Sequence, residues 1–327
     1  FGAVRRQGGR KMSQLYNVSL SPHIRAKDTT RGIMLDVLIA LLPPMATGVY
    51  IFGIRALFIT LLSVASCVGW EFLYEKLLGL KVTVGDLSAA VTGMILAMNL
   101  YSSAPWWLPV LGGGFAVVVV KCLFGGLGQN FMNPALAARC FLLISFPKLM
   151  TAYPAVDGVS GATPLAVIKD GGSVPLMTLL IGNHSGTIGE TSALAILIGA
   201  LYLIIRGVIR IRIPAVVILS SALFIAGFGF IKGDAVTPEL IISHILGGGL
   251  LAGAVFMATD YVTAPVTRWG QVIYAALIGF LTAFIRLFGG SAEGMSYAII
   301  ISNLLTPLIE KLTAPRPFGL EKKEAAR

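Results

Sequence analysis

The chain has 327 residues, 56% of them hydrophobic and only 12% charged, with a mean hydropathy of +0.85. Soluble domains carry about 25% charged residues, so this composition, laid out in long apolar runs, excludes a soluble enzyme and implies an integral membrane protein. The net charge of +10 is better explained by basic cytoplasmic loops than by nucleic acid, which is not expected as a partner.

Residues 1–32 read as a cytoplasmic N-terminal segment. Its first eleven, FGAVRRQGGRK, are basic rather than hydrophobic and precede Met12. They show no cleavable signal and read as a possible non-native leader. Ten apolar spans follow, at about 33–52, 56–74, 86–101, 106–124, 134–147, 191–206, 213–231, 240–258, 270–288 and 294–312. Residues 313–327 form a short tail. Several spans carry breakers: Pro43-Pro44 in the first, Gly112–Gly114 in the fourth, Gly247–Gly249 in the eighth. Interrupted helices persist in lipid only where neighbours or a cavity satisfy the freed backbone.

With both termini in the cytoplasm, all but six of the twenty-five Lys and Arg fall on the cytoplasmic side; the six are Arg55, Arg139, Lys148, Lys169, Lys232 and Arg286. The 148–190 loop then faces outward. Short stretches recur at similar offsets. LFGG occurs at Leu123–Gly126 and Leu287–Gly290, AMNLYSSAP (Ala97–Pro105) matches MATDYVTAP (Met257–Pro265), and Ile54-Arg55 matches Ile211-Arg212. The expected fold is therefore all-α, two inverted five-helix repeats at 33–147 and 191–312, with function between them.

Carboxylates in or beside the spans carry the first chemical signal. An ionised carboxylate at the bilayer centre costs about 2.5–3.5 kcal/mol on insertion scales. Glu71, Asp260 and Asp36 are candidates for a cation or proton path, with interfacial pairing as the structural alternative. Glu190, just before Thr191-Ser192, reads as a cap in the first turn of the sixth span. The segment GGLGQNFMNPALAAR (Gly125–Arg139) supplies the amides of Asn130 and Asn133, a Pro134 suited to a first helical turn, and an Arg139 that needs an anionic or carbonyl partner. The three cysteines lack a CxxC and cannot hold an iron–sulfur cluster without help from a partner chain. Nor is there a c-type haem motif.

The outward loop contains VDGVSGATPLAVIKDGG (Val156–Gly172). Thr163 sits among residues with almost no side chains, and Pro164 favours an extended Thr163 followed by a new element. Only Asp157 is near enough in sequence to serve as a base, so Thr163 reads as a readily reached substrate for modification rather than a nucleophilic catalyst.

The D-G-x-S-G-A-T motif resembles the flavinylation signal of the RnfD/NqrB family, membrane subunits of the Rnf and sodium-pumping NADH:quinone reductase complexes. DVLIALLPP (Asp36–Pro44), GGLGQNFMNPALAAR, SGTIGETSALAILIG (Ser185–Gly199) and MATDYVTAP are similar to further stretches of that family. Tyr261 stands where the family leads one to expect proline. The similarity runs from about Met12 to Lys311, and the brief loops resemble the RnfD branch. The resemblance implies FMN joined to Thr163 by a phosphoester, attached by a flavin transferase. It implies that Asp157, Ser160, Gly161 and Ala162 form the attachment motif. Asn130, Asn133, Arg139, Ser185, Gly186 and Glu190 are then candidates to surround the flavin. It also implies a second, non-covalent riboflavin. The partners would be the other Rnf subunits, including the flavin-bearing RnfG protein, and lipid, in a bacterial inner membrane. Electrons would pass between ferredoxin and NAD, coupled to Na⁺ or H⁺ movement. An inverted-repeat carrier or channel without a redox role suits the midplane acids and broken helices equally well, but leaves the threonine loop as a mere connector.

Overall fold

The computed structural model describes residues 29–151, 163–233, 236–289 and 293–315. These are helical, with no strand among the described residues. The first run of helices is α1 (Thr30–Phe52), α2 (Ile54–Leu77), α3 (Ser88–Met98), α4 (Trp107–Phe124) and α5 (Pro134–Ser145). Three short helices follow: α6 (Pro147–Met150), α7 (Pro164–Lys169) and α8 (Leu176–Ile181). The second run is α9 (Ala193–Ile205), α10 (Arg212–Lys232), α11 (Pro238–Leu246), α12 (Leu250–Met257), α13 (Arg268–Phe288) and α14 (Met295–Thr313).

Each apolar run in the sequence is a helix or a helix pair. Five helices (α1, α2, α4, α10 and α13) are long and apolar enough to cross a membrane, or six spans if α11 and α12, bent by 59°, are one. Three expected spans are shorter than a bilayer requires. The helices α3, α5 and α9 have 11, 12 and 13 residues, against the roughly 20 that a full crossing needs. The reason for the truncation of α3 is visible in its backbone. Ile188 N donates to Leu100 O at 2.8 Å, and Gly189 N donates to Met98 O at 3.0 Å. The chain before α9 thus takes over the carbonyls that a longer α3 would have used internally.

The sequence sets most helix starts. Asn133 Oδ1 accepts from Ala135 N (3.1 Å) and Leu136 N (3.2 Å), with Pro134 in the first turn of α5. Ser192, Thr237 and Thr267 cap α9, α11 and α13 in the same way. Packing relies on small residues. The first helices of the two runs, α1 and α9, cross so closely that a Cβ on Gly199 would lie 2.2 Å from the Ala40 carbonyl oxygen. In both runs the second and fourth spans pack together, α2 on α4 and α10 on α13. Both runs also contain a π-helical stretch, Phe115–Lys121 in α4 and Gly253–Met257 in α12. Such stretches are frequent at functional sites.

Candidate functional site

Three groups of buried polar residues occupy this frame. The first centres on Arg139, about a turn and a half into α5. Its Nη1 donates to Asn99 Oδ1 (2.6 Å) and Glu190 Oε1 (3.2 Å), and its Nη2 donates to Glu293 Oε2. The side chains of Arg139 and Glu190 are 6% exposed, that of Glu293 13%. A guanidinium can serve several acceptors because its donors are fixed in a plane. Glu190 is therefore not the helix cap its local sequence suggests. Ser192 caps α9, accepting from Ala195 N, and Glu190 turns inward to the arginine. Next to it, Ser185 is buried, and its carbonyl and that of Thr191 each lie 3.1 Å from a ring nitrogen of His184. Burial pushes the His184 pKa below its ordinary value against those two partners. Gly186 sits beside the His184 ring.

The second group lines a cavity of about 120 Å³ bounded by α1, α3, α5, α9 and the two π stretches. Its walls are mostly apolar, with Lys121, Asn130, Asn133, Thr259 and Asp260 at intervals. Lys121 Nζ donates to Glu71 Oε1 at 2.5 Å and to Ser88 Oγ at 2.6 Å, with both charged side chains at most 3% exposed. Asp260 accepts from Val262 N (3.3 Å) and from Thr263 Oγ1 (3.2 Å), and Asn130, whose Nδ2 donates to Met132 O at 3.1 Å, lines the same cavity. Asn133 Nδ2 donates to Met257 O at 3.4 Å. Asp36 is elsewhere. It accepts from Tyr202 Oη (2.8 Å) and pairs with the half-exposed Arg206 (3.1 Å), tying α1 to α9 at one end. That is the interfacial pairing alternative. Tyr261, in place of the expected proline, donates its hydroxyl to Val208 O.

The Lys121–Glu71 pair gives a direct test. Lys121→Met should cost about 3–5 kcal/mol by leaving a buried carboxylate unpaired, and adding Glu71→Gln should return most of it. Denaturant unfolding of the purified chain in detergent measures both. Equal stability of the single and double variants would show that the pair does not hold the fold.

The third group lies around α7. Thr163 has φ −69° and ψ 152° and caps this helix, its Oγ1 accepting from Ala166 N at 3.3 Å, with Pro164 in the first turn. Contrary to the expectation of a readily reached threonine, it is 7% exposed. The hydroxyl is occupied as a cap, and the side chain packs with the start of the helix. Asp157, Ser160, Gly161 and Ala162 lie outside the described residues. Farther along α7, Leu165, Ile168 and Lys169 form one wall of a cavity of about 300 Å³, completed by Lys232, His244 and Arg286. Arg286 Nη1 donates to His244 O, and Nη2 to Gly247 O (3.2 Å) and Gly248 O (2.9 Å). A cation thus satisfies the open carbonyl end of α11 at the break.

Geometry alone does not assign a chemistry to these groups, and sequence comparison supplies the family. The model described as "NQR2, RnfD, RnfE family" matches residues 17–319. The chain belongs to this family. Family members similar to it include a protein of Acetobacterium woodii, named as the D subunit of a Na(+)-translocating ferredoxin:NAD(+) oxidoreductase complex. That relative is 51% identical over 94% of this chain and 97% of its own length. A Clostridium ljungdahlii protein, named as the D subunit of a proton-translocating ferredoxin:NAD(+) oxidoreductase complex, is 38% identical over the same shares. A Stutzerimonas stutzeri protein, named as the D subunit of an ion-translocating oxidoreductase complex, is 36% identical over 88% of this chain and 91% of its own length.

Within this family member, the residues expected around one flavin are divided among the three groups. Asn130 and Asn133 join Asp260 at the second cavity, Arg139 and Glu190 form the central ion cluster, and Thr163 stands at α7. Sequence reasoning missed Lys121, Asn99 and Glu293. Lys121 ends the run FAVVVVK and Glu293 lies in the short SAEGM connection. Each is a lone charge beside apolar sequence, the one signal that marks a buried pair.

Proposed function

We propose that the chain is the D subunit of an Rnf-type complex, a membrane protein through which electrons pass between ferredoxin and NAD while Na⁺ or H⁺ crosses the membrane. Thr163 carries FMN through a phosphoester installed by a flavin transferase, on the outward side of a bacterial inner membrane with both termini in the cytoplasm. The observation that carries this reading is the family membership over 17–319, together with Thr163 in its D-G-V-S-G-A-T setting. The names of the relatives supply the complex, its substrates and the coupling to ion movement.

Thr163 opens α7, a short helix whose far end meets a cavity bordered by Lys169, Lys232 and Arg286, basic groups that favour a charged ester nearby. FMN, when bound, supplies the one- and two-electron chemistry that this chain's three buried, unpaired cysteines do not. Because the Thr163 hydroxyl is buried as a cap, attachment takes place on a segment that has not yet packed or has opened. The Asp260 cavity is largely apolar with a few hydrogen-bonding partners, a lining suited to a flat heteroaromatic ring, and at about 120 Å³ it must widen to admit one. Asn130, Asn133 and Lys121 are the groups there that would orient a non-covalent riboflavin. Asp260 borders the same cavity and Glu71 is joined to it through Lys121; these are the carboxylates that would hold a cation or proton. The neighbouring Rnf proteins, including the flavin-bearing RnfG protein, and the surrounding lipid complete the assembly.

The test is in-gel flavin fluorescence of the denatured chain, wild type beside Thr163→Ala, each co-expressed with a flavin transferase. A fluorescent wild-type band and a complete loss in the variant are expected. A dark wild-type band, with the transferase active on a control substrate, would transfer the weight to an ion carrier without a redox role.

A further inference from the structure

A third cavity, of about 330 Å³, opens where α10 and α13 begin. Both helices are long and apolar enough to cross a membrane, so their starts mark its boundary. The α9–α10 turn, the 259–266 segment and Gln271 wall this cavity, which shares Asp260 and Tyr261 with the Asn130 cavity. Arg210 lines it. Arg212, in the first turn of α10, donates Nη1 to Gln271 Oε1 at 2.9 Å, an arrangement that leaves the Gln271 amide nitrogen to donate elsewhere. Arg268 stands one turn before Gln271 on the same face of α13. None of these three arginines belongs to an ion pair among the described residues. The two carboxylates nearby are already engaged. Asp260 accepts from Val262 N and Thr263 Oγ1, and Glu310 accepts from Val266 N at 3.0 Å. In addition, α10 starts without a side-chain cap and with no acid in its first turn, so its positive end lacks the anion that usually meets one.

The surroundings indicate what kind of anion fits. Trp269, 75% exposed, follows Arg268, and Ile211 and Ile273 are exposed beside the arginines on the two helices. An exposed indole among basic residues at helix ends is the arrangement of a membrane–water interface. Donors from separate elements suit a phosphate, which offers several acceptor oxygens. The apolar strip beside them suits acyl chains, for which a soluble phosphate compound has no counterpart. We propose that this cavity is a binding site for an anionic phospholipid. Arg210, Arg268 and the Gln271 amide bind the oxygens of its headgroup, Arg212 holds Gln271 in place, and the acyl chains run along Ile211 and Ile273. The site is separate from Thr163 and stands whether or not the chain carries a flavin.

Native mass spectrometry of the full chain, released from micelles that contain equal amounts of phosphatidylglycerol and phosphatidylcholine with matched acyl chains, counts the lipids retained. The wild type should retain phosphatidylglycerol roughly tenfold over phosphatidylcholine, the effect of two arginines on an anionic lipid. Arg210→Gln with Arg268→Gln, both at exposed positions, should remove that preference. Lys76→Gln with Lys81→Gln, exposed at and just beyond the end of α2, removes the same charge elsewhere and should leave the preference in place. Equal retention of the two lipids by the wild type would overturn the site and leave the arginines to a soluble acidic partner. An equal loss in both double variants would also overturn it, because net charge alone would then explain the preference. Adding excess inorganic phosphate separates the two sources of the same chemistry. Phosphatidylglycerol that stays bound supports the lipid, whereas its displacement would make a soluble phosphate compound the occupant and overturn the lipid assignment.

Discussion

Arg139→Met is expected to yield a chain that reaches the membrane but does not survive extraction as a folded monomer. One guanidinium serves Glu190, Glu293 and Asn99 in a nearly dry setting. Removing it leaves two enclosed carboxylates facing one another. Breaking a single buried pair costs about 3–5 kcal/mol, already a large part of a typical stability of about 5–15 kcal/mol. Arg139→Lys should recover only part of the loss, since one ammonium cannot reproduce the planar fork that meets acceptors on both Nη atoms. Adding Glu190→Gln and Glu293→Gln to Arg139→Met should restore a monodisperse peak in detergent. Thermal unfolding followed by size-exclusion chromatography reads all of these. An Arg139→Met chain as heat-resistant as the wild type would remove the cluster from any structural role.

The second large effect is expected at the break between α11 and α12. Gly249 has φ +66°, and a Cβ there would lie 2.2 Å from Glu190 Oε1 and 2.7 Å from its carboxyl carbon. Gly249→Ala therefore incurs a left-handed backbone cost of about 1–2 kcal/mol and an overpacking cost of about 1–3 kcal/mol. The overpacking falls on the carboxylate that Arg139 holds, so part of the first loss is reproduced without touching a charge. Gly69→Ala is the control. Gly69 is exposed on α2 with nothing within 4 Å of the added carbon, and alanine there should stabilise by roughly 0.5–1 kcal/mol. Unfolding in denaturant should therefore move in opposite directions for the two variants. A Gly249→Ala chain that gains stability like Gly69→Ala would show that the break tolerates a side chain.

What was legible in the sequence followed from local physics. Apolar runs located the helices to within a few residues, because hydrophobicity is counted along the chain. Asn133-Pro134 and Thr163-Pro164 announced helix starts, because a cap bonds to amides two or three residues away. The termination of α3 was not legible. It depends on Ile188 and Gly189, about ninety residues on, taking over its last carbonyls. The same limit applies to Arg139, whose partners are 40, 51 and 154 residues distant. Glu190 was misread for a related reason. Its neighbours resemble a helix start, and only the position of α5 draws it inward. Lys121 was overlooked because a lysine at the end of an apolar run ordinarily reaches the membrane surface, whereas here it points to Glu71.

The crossing of α1 and α9 bears on how this chain takes part in transport. A carrier that alternates access swings one part against another over a bearing that can slip. Here the backbone beside Gly199 sits against Ala40, and Gly48 against Ile188, at separations that leave no room for a methyl group. Such a joint is keyed rather than greased. Tilting would have to separate main chain from main chain and strip Arg139 of its acceptors together. The chain is thus built like a stator, a fixed mount that keeps whatever is attached to it at set spacings.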